Sequence, residues 1–97
     1  MRDAFKGRAL QKHIMTRATI EKIFEHASMP VHGTLSRKLR KDTKLQINDA
    51  KTYEEAVLFL SEEFVRITEH LDDQAINTYY DWDKIASVRT ISMNVSK

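Results

Sequence analysis

The clearest apolar rhythm in the chain runs through residues 52–72, TYEEAVLFLSEEFVRITEHLD, where Tyr53, Val57, Leu60, Phe64, Ile67 and Leu71 recur at intervals of 4, 3, 4, 3 and 4. Side chains three and four apart share a helix face, so the spacing predicts one long central helix with an a/d-like seam. Thr52 followed by Glu55 reads as a capping box at its start. Ala56 and Phe59 widen the stripe, while Leu58 and Val65 call for more than one packing neighbour. A second helix is predicted over 17–28, RATIEKIFEHAS, with Ile20, Ile23, Phe24 and Ala27 on one buried face. Thr16 or Thr19 caps its start, and Ser28-Met29-Pro30 stops it, because proline lacks an amide hydrogen and pushes its predecessor toward extended backbone.

The remaining patterns are shorter. In residues 3–14, Phe5, Ala9, Leu10 and Ile14 are spaced as in a helix, around a Gly7 that costs up to about 1 kcal/mol there. This segment reads as a first helix or as an arm that orders on a partner. Residues 34–41, TLSRKLRK, predict a short helix capped by Thr34, with Leu35 and Leu39 on one side. Residues 42–51 read as a connecting loop, in which Leu45 and Ile47 alternate with polar neighbours and allow a short extended piece. Ile76, Tyr79, Tyr80 and Trp82 supply bulky packing groups, and 83–89 predicts a final short helix with Ile85 and Val88 facing inward. Ile91, Met93 and Val95 alternate with polar residues, as in an edge strand or a frayed tail.

Together these elements predict an all-α protein, a small compact bundle of three to five helices with room for a short C-terminal extended segment. A length of 97 residues fits a single domain over 1–97. Two glycines and one proline leave little material for hairpin turns, which disfavours a strand-rich sandwich. The absence of cysteine excludes disulfides, cysteine zinc sites, iron–sulfur centres and thiol catalysis. Met1-Arg2-Asp3 does not open a secretory signal, and the longest apolar run, Ala56 to Leu60, has five residues where a membrane helix needs about 20. The expectation is an intracellular protein, cytoplasmic, or nuclear in a eukaryote, with no membrane partner.

Charge divides the chain. Residues 1–44 hold eleven bases against four acids, a balance of +7, and residues 45–97 hold five against ten, a balance of −5. A basic helical half (1–44) and an acidic helical half (52–89) follow. The basic half can approach phosphates, and the acidic half is repelled from them. Helix 17–28, the turn from Ser28 to Gly33 and the stretch 34–41 coarsely resemble a helix-turn-helix reader, in which the second helix enters the major groove. That resemblance makes Thr34 and Ser36 donors to phosphate or a base edge, Arg37 and Arg40 guanine forks, and Lys38 and Lys41 phosphate contacts, with Arg17 and Lys44 in support. Over roughly 52–89, a long helix, a loop containing Thr78 and a short helix loosely resemble the end of a histone fold. That too implies a paired, DNA-associated helical protein, although Pro30, Gly33 and the 42–51 connector depart from the pattern upstream.

The expected function is therefore a small non-enzymatic regulatory protein that contacts double-stranded DNA through a basic helix. Homodimerisation is expected through the apolar seam of Tyr53, Val57, Leu60, Phe64, Ile67 and Leu71, with Tyr79, Tyr80 and Trp82 as further interface groups. The alternative is an adaptor or inhibitor that binds a protein partner through the acidic, aromatic C-terminal half. Glu62, Glu63, Glu69 and Asp73 read as solvent-facing acids, and His13, His26, His32 and His70 lack zinc-ligand spacing. No catalytic residue, metal or cofactor is assigned.

Overall fold

The computed structural model describes residues 15–93. They form two antiparallel sheets and one α-helix, so the all-α bundle is overturned. The helical candidate at 3–14 and the terminal Val95 lie outside the described residues. Helix α1 (Arg17–Ala27) matches the periodicity read from the sequence. The Thr16 hydroxyl accepts from the Thr19 amide at 3.2 Å, capping its start, and Ile20, Phe24 and Ala27 are buried.

After α1 the chain runs through β1 (Ser28–Pro30), β2 (Arg37–Leu39), β3 (Thr43–Ile47), β4 (Thr52–Tyr53), β5 (Val57–Leu60), β6 (Phe64–Leu71) and β7 (Gln74–Asp81). A single 3₁₀ turn over Trp82–Lys84 then leads to β8 (Val88–Ser92). The first sheet has the order β1-β2-β5-β6-β7 and the second β4-β3-β8. Their inner faces and α1 enclose one core. Leu39, Leu58, Val65 and Ile67 come from the first sheet, and Leu45, Ile47 and Tyr53 from the second. Ile20, Phe24 and Ala27 of the helix, with Ala56, Trp82 and Ile85, complete it.

The predicted central helix is replaced by three strands and two turns. Within 57–60 and 64–68, a period of two coexists with the 4-3-4 rhythm, and Val57, Phe59, Phe64, Val65, Ile67 and Thr68 are β-branched or aromatic residues that suit a pleated surface. Tertiary pairing decides between the two periods. Turn chemistry is supplied without glycine: Glu55 and Asp72 adopt left-handed φ of 55° and 56°, and Asn48 does so at 57°. The Glu55 of the apparent capping box thus sits in a left-handed turn. The Ser61 hydroxyl accepts from the Phe64 amide at 3.0 Å and holds the β5–β6 connection.

The other two predicted helices also give way. Residues 34–36 are a turn leading into β2, and the supposed partners Leu35 and Leu39 separate, one exposed and the other buried. Residues 83–89 supply the end of the 3₁₀ turn, an extended link and the start of β8. The helix-turn-helix and histone-fold resemblances therefore have no counterpart in this backbone. The alternation at Leu45 and Ile47 is a full strand, β3, and the alternation continuing through Ile91 belongs to β8, which pairs with it. No helix among the described residues is long and apolar enough to cross a membrane.

Candidate protein-interaction surface

Of the basic residues of the predicted reading helix, the two arginines are tied back to the chain itself and the two lysines are exposed. Thr34 donates to the Val31 carbonyl at 3.0 Å, and its hydroxyl accepts from the Ser36 amide at 3.0 Å, so both serve the turn at Gly33. Arg37 Nε donates to the Ser28 hydroxyl at 2.9 Å, and its terminal nitrogen reaches the Glu25 and Ser28 carbonyls. Arg40 Nε donates to the His26 carbonyl at 2.8 Å. Both guanidiniums thus satisfy carbonyls at the end of α1, where the helix dipole also favours a cation. Arg17 pairs with Glu21, donates to the Ser61 and Glu62 carbonyls, and lies 4.7 Å over the Trp82 ring.

The lysines are dispersed rather than gathered. Lys38 lies on the outer face of the first sheet, Lys44 on the outer face of the second beside Ile91, and exposed Lys41 in the turn between β2 and β3. Lys22, His26 and Arg40 line an open groove between α1 and β8, with Ile23 and Ala27 as its apolar wall. Across the described residues the balance is eleven bases against thirteen acids. Replacing Arg37 by alanine is expected to destabilise the fold by about 1–3 kcal/mol, because it removes a donor from the buried Ser28 hydroxyl and from the Ser28 and Glu25 carbonyls. A lowered urea midpoint at unchanged slope checks this. Equal stability would mean those contacts are not made in solution.

The proposed interface residues fall into distinct environments. Tyr53, Ile67 and Trp82 are core, and Leu60 and Tyr80 are partly buried against it. The Tyr53 and Tyr80 hydroxyls meet at 2.7 Å, tying β4 of one sheet to β7 of the other. Burial and this bond push the Tyr80 phenol well above its ordinary range. The folded state then holds this proton more tightly than the unfolded chain does, so the contribution is complete below about pH 10 and falls as pH rises beyond it. Tyr80→Phe is expected to cost about 1 kcal/mol at neutral pH and to blunt the alkaline fall, as read from urea midpoints across pH 8–11.

Val57, Phe64 and Tyr79 share the outer face of the first sheet, where register sets Arg66 opposite both Phe59 and Tyr79. Phe59 and Phe64 are half-buried and Tyr79 is 58 % exposed. The rings interlock: Phe59 to Phe64 at 6.3 Å, and Phe64 to Tyr79 edge-on at 5.3 Å. The Arg66 guanidinium lies 5.0 Å over Phe59, and its buried Nε finds no acceptor among the described residues. Leu71 and Ile76 remain exposed toward the tip of the β6–β7 hairpin, on the opposite face. Phe59 as a surface group and Arg66 were missed in the sequence. Their signal was the two-residue alternation of Val57/Phe59 and Phe64/Arg66/Thr68, masked by the helical rhythm. Among the described residues no cluster of three or more His, Cys, Asp or Glu side chains is placed to hold a metal ion. Compared with family models, curated proteins and solved structures, the chain matches none.

Proposed function

We propose that this chain is a non-enzymatic binding protein that engages another protein through the outer face of its first sheet. The observation that carries the reading is the aromatic row of Phe59, Phe64 and Tyr79, with Arg66 stacked on it, on a face that no described element covers. Aromatic and arginine side chains around an apolar centre are the groups that dominate protein interfaces. A partner segment offering an aliphatic or aromatic side chain and a neighbouring carboxylate fits this chemistry.

Nucleic acid fits it less well. Base stacking needs ring faces, whereas Phe64 and Tyr79 meet edge to face. Asp81 lies directly opposite Phe64 in the ladder, and Glu62 and Glu63 precede it, so the patch repels phosphate at one end. The duplex-DNA reading rested on a basic helix whose residues form a turn and a short strand, with two of its guanidiniums tied to α1.

Panning a random peptide library on the immobilised protein tests the proposal. Enriched peptides are expected to pair apolar with acidic residues. Tyr79→Asp and Arg66→Glu should each weaken binding about tenfold or more, as hot-spot changes do, while Lys41→Ala and Lys44→Ala, which lie off that face, leave it unchanged. Salt-sensitive duplex binding that survives Tyr79→Asp, with no peptide enriched, would reverse the assignment.

A further inference from the structure

β7 is an edge strand of the first sheet, and its outer side pairs with no strand among the described residues. Leu71 pairs with Gln74 across the two-residue turn at Asp72 and Asp73, so these two must exchange both ladder hydrogen bonds. The N–H and C=O groups of Gln74, Ile76, Thr78 and Tyr80 therefore face β6. Those of Ala75, Asn77, Tyr79 and Asp81 point away, and they have no backbone partner among the described residues. Proteins usually blunt such an edge with lysine, proline, a bulge or brevity. At the opposite edge of the same sheet, β1 is three residues long and contains Pro30. In the second sheet β4 has two residues and β8 carries Arg89. β7 is eight residues long, and from Gln74 to Tyr80 it holds no charge and no proline.

We infer that β7 pairs antiparallel with β7 of a second copy of this chain, about a two-fold axis at Thr78, joining two five-stranded sheets into one of ten strands. The strand is self-complementary in this register. Ala75 meets Asp81 of the second copy and Asn77 meets Tyr79, so all four outward residues on each copy complete their hydrogen bonds. On the inner face Thr78 meets its own equivalent and Ile76 meets Tyr80; no like charges stand directly opposite within the strand. Shifting the axis to Asn77 would set Asp81 against the turn residue Asp73, outside β7, and so lose the pairs at both ends of the ladder. The pairing also brings the two Phe59–Phe64–Tyr79 rows onto one continuous surface. The inference names one partner of the sheet to which the proposed function is assigned and rests on that reading for its purpose, but its test does not use the aromatic face.

The test combines sedimentation across a concentration series with engineered cysteines, in a chain that has none of its own. The unaltered protein should shift from the mass of one chain to that of two as concentration rises. Thr78→Cys should oxidise to a covalent dimer, because side chains of a directly opposed, non-hydrogen-bonded pair lie closest. Gln74→Cys, on the same face but remote from the axis, should stay reduced under the same conditions. Asn77→Pro removes an outward N–H without touching the β6 ladder and should leave a folded monomer. A single-chain mass at every concentration, cross-linking no greater at 78 than at 74, or a dimer that persists in a folded Asn77→Pro variant would each overturn the pairing. Peptide binding by that monomeric variant separates the two proposals, since it requires the aromatic face and not the edge.

Discussion

Replacing Phe24 by alanine is expected to cost about 3–5 kcal/mol, a large share of the stability of a domain this size. Phe24 is fully buried and is where α1 meets the sheets. Its ring lies 6.3 Å from that of Trp82, and its carbonyl accepts from the buried Ser28 hydroxyl as the helix passes into β1. Truncation removes the contact and leaves a cavity that neighbouring strands, held by their ladders, cannot fill. The urea midpoint should fall sharply, with tryptophan emission moving to longer wavelength as Trp82 gains water. Lys22→Ala, an exposed change on the same helix, should remain within about 0.5 kcal/mol of the parent. A Phe24→Ala protein as stable as that control would mean that α1 does not close the core.

Helix α1 was legible because its local signals agree: a threonine cap, one apolar stripe and a proline just beyond its end. Elsewhere the signals conflicted, and three physical features account for the misreading. Residues 52–72 satisfy both the helical and the strand period, so only partners distant in sequence decide between them. Among the described residues, only the β1–β2 turn has a glycine at positive φ, Gly33; Asn48 and Asp72 take that conformation in two other hairpins, and Glu55 takes it in the link between the sheets. A low glycine count therefore did not mean few turns. Asn48 is held in its turn by its side chain, whose oxygen accepts from the Ala86 and Ser87 amides at 2.8 and 3.2 Å. Those bonds span nearly forty residues, and no local pattern encodes them.

The charge asymmetry was equally real in sequence and misleading in space. Arg37 and Arg40 stand among bases in the chain, yet their guanidiniums serve carbonyls at the end of α1. Lys51, just ahead of the acidic half, pairs with its nearly buried Glu69 at 2.7 Å. Tyr79 was singled out as an aromatic interface group and does lie exposed, but the neighbours that give its surface a chemistry, Phe59 and Arg66, come from two other strands. Their convergence depends on ladder register, which the sequence leaves open until the strands themselves are recognised.

Trp82→Ala should approach the effect of Phe24→Ala, at about 3–5 kcal/mol, and its origin can be separated experimentally. The indole N–H donates to the Ser61 carbonyl at 3.0 Å, and the same carbonyl accepts from Arg17 at 3.1 Å. Arg17 in turn lies over the indole ring. One point thus joins the first turn of α1, the β5–β6 connection and the 3₁₀ turn that leads to β8. Because the three groups share one acceptor and one stacked contact, removing either side chain weakens the hold of the other. Arg17→Ala alone is expected to cost about 1–3 kcal/mol. The double variant should cost less than the two single losses together, by about 0.5–3 kcal/mol, as contacting residues do. Trp82→Phe, which retains an aromatic ring but not the N–H, should recover most of the packing and fall between the parent and Trp82→Ala. Strict additivity of Arg17→Ala and Trp82→Ala in urea denaturation would show that the three segments are held independently, and that the helix docks through Phe24 and its apolar neighbours alone.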